Sequence, residues 1–362
     1  MIQLGIICGG KSTEHEISLL SAINIIKASD QTKYNIILIG ISKDGIWQLY
    51  DPKTAFINAE DPKKIHLNNP IDRIVVVPDN PKGYLIKLSN PKEKLVLDCI
   101  FPILHGPYGE DGSVQGLLKC ANIPFVGAGV LGSAVGMDKD VMKRLLRDAK
   151  IPIAPFICIS KKDQTKLHFS DVIKTLNTPL FIKPANTGSS IGISKVINES
   201  EFNRAMEEAF QFDTKILIEQ GIQGREIECA VLGNETPKAS VAGEVCPKDS
   251  FYSYQAKYLD DDGAKLIIPV ELTTKELETV QATALKTYQT LCCEGLARVD
   301  MFLTPDGQAW VNEINTLPGF TKISMYPKLW ECSGISQVEL IDELINLAIN
   351  RNTLCANIQT SI

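Results

Sequence analysis

Hydrophobic residues along the chain recur with two periods, the twofold period of strands and the longer period of helices. Residues 2–8 are mostly apolar and predict a first strand, which ends at Gly9 and Gly10. Four apolar residues then recur at helical spacing and predict a helix through about residue 29: Ile17, Leu20, Ile23 and Ile26. This strand, loop and helix predict an α/β domain at the start of the chain.

The alternation of strand and helix patterns continues to the end of the chain. Further strands are predicted at 35–41, 97–104, 151–159, 179–184, 226–233 and 238–246. Further helices are predicted near 112–121, 138–150, 273–294 and 336–350. The segment 51–94 is rich in Pro, Lys and Asn and predicts hairpins and surface loops. A chain of 362 residues exceeds one typical core, so two or three domains are expected.

Composition narrows the class of protein. Charged residues make up 22% and hydrophobic residues 44% of the chain, as in soluble globular proteins. The net charge of -6 argues against nucleic acid or an anionic membrane surface as the main partner. No apolar run is long enough to span a membrane, and the start MIQLGIIC lacks the basic residues of a signal peptide. A cytoplasmic protein without a membrane partner is expected.

The cysteines agree with a reducing compartment. The chain has ten of them and no C-x-x-C pair that could hold zinc or exchange thiols. Cys8, Cys99, Cys158 and Cys229 lie in apolar strand-like runs. We expect these four to be reduced and buried.

The segment LARVDMFLTPDGQAWVNEINTLPGF predicts a β-hairpin. A two-residue turn at 306–307 sets its register, and counting outward places Asp300 opposite Glu313 and Arg298 opposite Asn315. Opposed carboxylates about 5 Å apart repel each other unless something compensates. The carboxylates of Asp300 and Glu313 and the amide carbonyl of Asn315 are oxygen ligands that suit Mg²⁺. The alternative interpretation is a solvent-exposed sheet face that binds no ligand.

A second candidate site lies in PLFIKPANTGSSIGISKV, where Lys183 precedes a loop of small residues. Such loops bring backbone N–H groups together around phosphate oxygens, although a plain β-turn has the same composition. The pattern differs from a P-loop because a strand follows it. Glu219 and Glu226 end and begin the next two strands and could hold a nucleoside, but the pair alone is a weak signal.

Two further loops carry polar residues after predicted strands. In CGGKSTEHEIS, Thr13 and Glu16 match a helix capping box, whereas the preceding glycines open a ligand-binding position at a strand end. In HGPYGEDGSVQG, His105 follows a strand directly, and a structural and a catalytic role are equally compatible with that position.

Gly127, Gly129 and Gly132 have the spacing of a dinucleotide-binding loop, which makes an NAD-dependent oxidoreductase the rival function. That function needs an acidic residue about 20 positions later, at the end of a strand. Asp148 instead falls in a predicted helix, so the rival is disfavoured. A regulatory module without catalysis would not require Arg298 together with a metal pair.

Six motifs occur in one order: GGKSTEHEIS, HGPYGEDGSVQG, GMDKDVMKRLL, KPANTGSS, YSYQAKY and EINTLPGF. Together they resemble the D-alanine–D-alanine ligase family of the ATP-grasp superfamily. The resemblance implies an α/β (α+β) ATP-grasp fold whose N-terminal domain, 1–138, has an open parallel sheet and a first D-alanine site. It also implies a central subdomain, 139–220, and a C-terminal subdomain, 221–352, with ATP held between their sheets.

The resemblance also implies roles for single residues. For ATP the expected residues are Lys139, Lys183, Ser190, Glu219, Ile222, Glu226 and Lys257. For two Mg²⁺ ions, with Mn²⁺ as an alternative, they are Asp300, Glu313 and Asn315. For the two D-alanines and the chemistry between them they are Glu16, Ser189, Tyr258, His105, Arg298, Gly319, Ser324 and Met325.

In these roles Glu16 binds the first ammonium and links through Ser189 to Tyr258 on a lid at about 248–266. The implied reaction joins two D-alanines through a D-alanyl phosphate for peptidoglycan precursors. A homodimer and a monovalent-cation activator are also implied. Gln220 departs from the family pattern, which often has lysine there, and is left out of the site.

Overall fold

The computed structural model describes residues 1–247, 264–356 and 359. Nine strands lie within the first 102 residues: β1 Ile2–Gly9, β2 Tyr34–Ile41, β3 Trp47–Tyr50, β4 Phe56–Ile57, β5 His66–Leu67, β6 Asp72–Val77, β7 Tyr84–Lys87, β8 Lys94–Leu95 and β9 Cys99–Pro102. Seven of them form the first sheet, in the order β8-β7-β6-β3-β2-β1-β9, and β4 pairs with β5.

Parallel pairing is confined to one half of this sheet. β1 pairs in parallel with β2 and β9, whereas β3, β6, β7 and β8 are all antiparallel to their neighbours. The expected open parallel sheet is therefore only half correct, because short connections can join antiparallel strands only. The hairpins predicted for 51–94 are confirmed and supply β6, β7 and β8.

Four helices lie within the first 148 residues: α1 His15–Ala28, α2 Ser113–Cys120, α3 Val130–Met137 and α4 Lys139–Asp148. Met142 and Leu146 of α4 belong to the hydrophobic core of the third sheet. The N-cap of α1 is Glu14, so the capping box predicted from Thr13 and Glu16 does not form. The N-cap of α4 is Asp138, whose carboxylate accepts from the N–H groups of Asp140 and Val141 at 3.1 Å each. This cap starts α4 at Lys139.

The second sheet has four antiparallel strands in the order β10-β13-β11-β12. Their bounds are β10 Phe156–Ser160, β11 Leu180–Pro184, β12 Ser194–Val196 and β13 Lys215–Gln220. A 3₁₀ helix at Lys161–Lys166, α5 Phe169–Val172 and α6 Glu199–Ala209 accompany them. Helix α6 was not predicted, although its buried residues Phe202, Ala205, Met206 and Ala209 have helical spacing.

The third sheet has five antiparallel strands in the order β16-β15-β14-β17-β18. They are β14 Arg225–Gly233, β15 Lys238–Pro247, β16 Ala264–Ile267, β17 Gly295–Leu303 and β18 Ala309–Asn315. Three helices flank the sheet, α7 Thr274–Thr290, α8 Met325–Cys332 and α9 Gln337–Ala356. Helix α7 begins with a complete capping box made by Thr273 and Glu276.

One hydrophobic core joins the first sheet to the third. It includes Leu4 of β1, Phe101 of β9, Leu296 of β17 and Leu344 of α9, all fully buried. The ring of Phe320 meets that of Phe101 edge to face at 5.7 Å, which favours this contact beyond simple burial. The loop after β18 is thereby held against the carboxyl ends of β1 and β9.

The β17–β18 hairpin has the predicted pairing at the site but a different turn. Asp300 lies opposite Glu313 and Arg298 opposite Asn315, as predicted. Near the turn, however, Leu303 pairs with Ala309, and the register shifts by one residue after Asp300. The extra residue is Asn312, a bulge that offsets a turn one residue longer than expected.

The glycines at 127–132 have a packing role. A Cβ on Gly127 would lie 2.9 Å from Leu317 Cδ2, and one on Gly132 would lie 2.6 Å from the carbonyl oxygen of Cys292. Such contacts are too short for a real side chain, so these glycines let α3 approach the third sheet closely.

The structure bears on the expectations about membrane spans and about cysteines. Among the residues described, no helix is long and apolar enough to cross a membrane. All ten cysteines are free, and Cys8, Cys99 and Cys229 are buried as predicted. Cys158 is exposed, so its predicted burial is wrong. Its neighbours on β10, Ile157 and Ile159, face the hydrophobic core of the second sheet, so Cys158 lies on the opposite face.

Candidate active site

Two cavities lie where the sheets meet. The junction cavity is bordered by loops of all three sheets, and its lining includes Glu14, His105, Ser189, Arg298, Asn315 and Gly319. The inter-sheet cavity, of about 420 Å³, lies between the second and third sheets, and its lining includes Phe181, Lys183, Glu219, Ile222, Glu226 and Phe302. Glu313 lines both cavities, so a ligand in one can contact a ligand in the other across this residue.

The acidic residue at the start of α1 that faces the junction cavity is Glu14. It is 5% exposed and accepts a hydrogen bond from the hydroxyl of Ser189. Glu16 lies two residues further along the chain, where its carboxylate pairs with Lys43 at 2.6 Å. The predicted link from Glu16 to Ser189 is therefore wrong, because the helix begins one residue after Glu14 and turns Glu16 toward β2.

Two titratable side chains lie beside Glu14. His105 is 6% exposed, and burial lowers its pKa to about 4, so the ring is neutral near pH 7. Glu110 accepts from the N–H of Gly106 at 2.6 Å. Burial and the charge of Glu14 raise the pKa of Glu110 well above its ordinary value. The cavity thus holds several carboxyl groups that an incoming cation would stabilise in their charged forms.

The loop after β11 has an unusual backbone. Ser189 and Ser190 have φ values of 52° and 58°, in the left-handed region that costs a non-glycine residue about 1–2 kcal/mol. Strain of this kind is typical of ligand-binding loops. Lys139 ties the loop to the third sheet, because its Nζ donates to the carbonyl of Thr187 at 2.7 Å and lies 3.4 Å from Glu313 Oε2.

The guanidinium of Arg298 contacts two carboxylates. Its Nε and Nη2 each donate to Asp300 at 2.7 Å, and its Nε lies 2.8 Å from Glu228 Oε2. Asn315 Nδ2 donates to Asp300 at 2.9 Å. All four side chains therefore form one polar network on one face of the third sheet.

The donor atoms at this face suit a hard divalent cation. Asp300 and Glu313 supply carboxylates, and the amide orientation of Asn315 leaves its carbonyl oxygen as a possible ligand. Within the described part of the chain, no group of three or more His, Cys, Asp or Glu residues is arranged to hold a metal by itself. This arrangement fits Mg²⁺, which takes one or two carboxylates and completes its shell with phosphates and water.

Two lysines meet one carboxylate beside the inter-sheet cavity. Lys183 Nζ lies 2.8 Å and Lys143 Nζ 3.2 Å from Glu219 Oε2. Lys183 also donates to Asn312, the bulged residue of β18, at 3.2 Å. The bulge thus directs the Asn312 amide across the cavity toward Lys183 of the second sheet. No pattern in the sequence predicted this contact.

The loop after β18 closes the junction cavity on its third side. A Cβ on Gly319 would lie 2.9 Å from Ser324 Oγ, so the backbone at Gly319 packs closely against the Ser324 hydroxyl. Ser324 Oγ accepts from the N–H of Thr321 at 2.9 Å, and Met325 begins α8. All of the predicted residues of this loop, Gly319, Ser324 and Met325, line the cavity.

Comparison with known proteins decides the family. Family models described as the D-ala D-ala ligase N-terminus and C-terminus match residues 3–128 and 145–346. The chain belongs to the D-alanine–D-alanine ligase family. It is similar to the D-alanine–D-alanine ligase of Oceanobacillus iheyensis, at 55% identity over 97% of this chain and 96% of that protein. It is also similar to ligase A of Salmonella typhimurium, at 49% identity over 100% and 99%.

Solved structures agree with this assignment. The D-alanine-D-alanine ligase from Coxiella burnetii matches with a TM-score of 0.85 and 38% identity, over 98% of this chain and 95% of that one. A D-Ala:D-Ser ligase from Enterococcus faecalis matches with a TM-score of 0.84 and 34% identity, over 96% and 99%. The predicted ATP-grasp fold is confirmed, and the oxidoreductase and non-catalytic alternatives are wrong. This ligase family uses ATP and, generally, a divalent metal.

Sequence reasoning missed several residues of the ligase site. They are Glu14, Glu110, Lys143, Glu228 and Asn312. Glu14 and Glu110 lie in two of the motifs that carry the family resemblance. In the first motif the neighbouring Glu16 was chosen instead of Glu14, and in the second no role was assigned to Glu110. Two predicted residues, Lys257 and Tyr258, lie outside the described residues.

Proposed function

We propose that this protein joins two D-alanine molecules to D-alanyl-D-alanine at the expense of ATP, for peptidoglycan precursors. The observation that carries the proposal is the position of Glu313 in the wall between the two cavities. ATP in the inter-sheet cavity would place its terminal phosphate at this wall. A D-alanine carboxylate in the junction cavity would meet it there.

The ATP site is proposed from the lining of the inter-sheet cavity. Glu219 and the backbone of Ile222 would hold adenine, and Glu226 would accept from the ribose hydroxyls. Lys139, Lys183 and the backbone at Ser190 would contact the phosphates, because they surround the strained loop after β11. Aromatic rings of Phe181 and Phe302 supply the apolar walls that a purine needs.

Two Mg²⁺ ions, with Mn²⁺ as an alternative, would be held by Asp300, Glu313 and Asn315. When bound, such ions would neutralise the charge that develops during phosphoryl transfer. The chain's own part is to present two opposed carboxylates at a fixed hairpin register.

The first D-alanine would bind with its ammonium at Glu14, in the role first assigned to Glu16. Glu14 is buried, ordered by Ser189 and near His105, which approaches the same substrate. The D-alanine carboxylate oxygen attacks the terminal phosphorus, ADP leaves, and D-alanyl phosphate forms.

The second D-alanine would bind with its carboxylate at Ser324 and Met325. Its amine attacks the acyl carbon, and the oxyanion that forms is stabilised by Arg298 and the N–H of Gly319. Phosphate leaves with the oxygen that came from the first D-alanine. Since a D-Ala:D-Ser ligase shares the fold, the acceptor must be chosen by side chains of this subsite.

Several further assignments rest on the family resemblance. Lys257 and Tyr258 would belong to a lid that excludes water from the acyl phosphate. The division at 138 and 220 would separate three domains, and the three sheets fall within these ranges. A cytoplasmic homodimer, activated by a monovalent cation, completes the proposal.

The function is tested by phosphate release from ATP with D-alanine. D-alanine should support release and a dipeptide product, whereas L-alanine and D-lactate alone should not. Adding D-serine as a competing acceptor tests the choice made at the second subsite. With ¹⁸O in the D-alanine carboxylate, released phosphate should carry one labelled oxygen. Release of pyrophosphate and of AMP that carries the label would show activation through an adenylate instead.

Glu14→Gln should raise the KM for D-alanine at the first subsite by about 10- to 10²-fold. The reason is that a charge-assisted hydrogen bond to a buried ammonium is worth about 1.5–3 kcal/mol, and each 1.36 kcal/mol is a factor of ten. Glu16→Gln is the matched control, since it removes the same charge two residues away and disrupts only a surface ion pair. Initial rates against D-alanine concentration measure both. Equal effects of the two substitutions would contradict the placement of Glu14.

A further inference from the structure

Lys143 is a fully buried charge that the proposed reaction does not use. It lies on α4, one turn after Lys139, and its side chain is 0% exposed. Its Nζ lies 3.2 Å from Glu219 Oε2, and Glu219 itself is 3% exposed. Burying a lysine without a carboxylate is costly, so this pair must form as a unit.

Glu219 is shared between two lysines of different accessibility. Lys183 lines the inter-sheet cavity and contacts Asn312 as well as Glu219, so it can turn toward a phosphate. Lys143 is enclosed and has no such alternative in the described part of the chain. Once Lys183 contacts phosphate, Lys143 is the remaining cation at Glu219 Oε2.

The second oxygen of Glu219 is available for a ligand. Oε1 is buried and has no hydrogen-bond partner among the residues described, and Glu219 lines the inter-sheet cavity. An ionised carboxylate only accepts hydrogen bonds, so this oxygen suits an amino group. It would repel a carbonyl oxygen at the same place, which is the difference between the 6-positions of adenine and guanine.

The charge state of the pair is consistent with this function. Burial alone would raise the pKa of Glu219, but the charges of Lys143 and Lys183 outweigh it, and the pKa lies below its ordinary value. Burial lowers the pKa of Lys143 to about 8, which still leaves the ammonium mostly charged at pH 7. Without Lys143, a Glu219 carboxyl facing only a phosphate-bound lysine would take up a proton and become a donor.

We propose that Lys143 is a positioning residue for nucleobase choice: it holds Glu219 as an acceptor-only carboxylate, so that Oε1 selects a purine with an amino group at position 6 over guanine. This inference rests on the proposed binding of ATP in the inter-sheet cavity. Lys143 acts through Glu219 and does not touch the nucleotide.

The test compares ATP with GTP in D-alanine-dependent phosphate release. The variants are Lys143→Met, the milder Lys143→Gln, Glu219→Gln and the Lys143→Met/Glu219→Gln double variant. In Glu219→Gln the amide can donate to the guanine carbonyl, so the ratio of kcat/KM for ATP to that for GTP should fall by about tenfold or more. Lys143→Met should lower the ratio by roughly tenfold, mainly by raising the KM for ATP. The double variant should show no further fall.

The matched control is Lys286→Met, the same substitution at an exposed lysine whose Nζ contacts the carbonyl of Ala149 just after α4. Its nucleotide ratio should equal that of the wild type. Thermal denaturation of every variant separates loss of folding from loss of selectivity, and Lys143→Gln serves if Lys143→Met does not fold.

The outcomes distinguish this inference from the function on which it rests. Absence of D-alanine-dependent phosphate release in the wild type would overturn both. An active wild type in which Glu219→Gln keeps the normal ratio would overturn the adenine contact and the inference with it. A lowered ratio in Glu219→Gln but a normal ratio in folded Lys143→Met or Lys143→Gln would overturn the role of Lys143 alone.

Discussion

Replacing Glu313 with glutamine should reduce turnover by about 10³-fold or more. Its carboxylate is one of the two opposed at the hairpin, and it lies in the wall shared by both cavities. Stabilising transition-state charge through a bound metal contributes several kcal/mol, and about 4 kcal/mol corresponds to a factor of 10³. Glutamine keeps the size of the side chain but removes its charge, so the fold should survive.

Phosphate release measured across a range of Mg²⁺ concentrations tests this prediction. Asp306→Asn is the matched control, because Asp306 is an exposed carboxylate at the turn of the same hairpin. It should leave turnover within about twofold of wild type, as surface substitutions usually do. Near-normal turnover and unchanged Mg²⁺ dependence in Glu313→Gln would contradict the metal assignment.

Replacing Arg298 with lysine should lower kcat by about 10²–10³-fold, the range found when one oxyanion donor is removed. Arg298 donates two hydrogen bonds to Asp300 and lies 2.8 Å from Glu228. Lysine keeps the positive charge but loses the planar fork. It therefore cannot hold Asp300 and face the acyl carbon at the same time.

Arg225→Lys is the control for this substitution. Arg225 forms the same kind of fork with Glu244, at 2.9 and 2.7 Å, but at the solvent-exposed start of β14 in the same sheet. Its replacement should change kcat by less than about twofold, since exposed ion pairs contribute about 0–1 kcal/mol. If Arg298→Lys raised only the KM for D-alanine, Arg298 would bind substrate and not the oxyanion. If both variants lost activity equally, the effect would lie in the sheet.

In the β17–β18 hairpin the predicted residue pairing is correct although the predicted turn length is wrong. The period of two in β17 and β18 predicts which residues share a face, and the prediction of Asp300 opposite Glu313 is confirmed. The assumed two-residue turn is wrong, because the connection is one residue longer and a bulge at Asn312 restores the register. A bulge leaves no mark in the alternation of polar and apolar residues, so a single sequence cannot locate it.

The choice between Glu14 and Glu16 depended on distant parts of the chain. Both acids lie where β1 gives way to α1, and local propensity favours the capping box that would use Glu16. In the folded chain Ser189, 175 residues away, meets Glu14, and Lys43 meets Glu16. The neighbours of each carboxylate decide its role, and they come from other sheets.

The sequence by itself determined most of the longer strands, the helices with clear periodicity, the order of the motif loops and the family. These depend on local preferences and on short motifs that one stretch of chain contains. The tertiary structure decided which side chains meet: Glu14 with Ser189, and Lys143 and Lys183 with one oxygen of Glu219. The burial and pairing of these groups arise only when elements distant in sequence close around them, since the cost of removing a charge from water depends on what surrounds it.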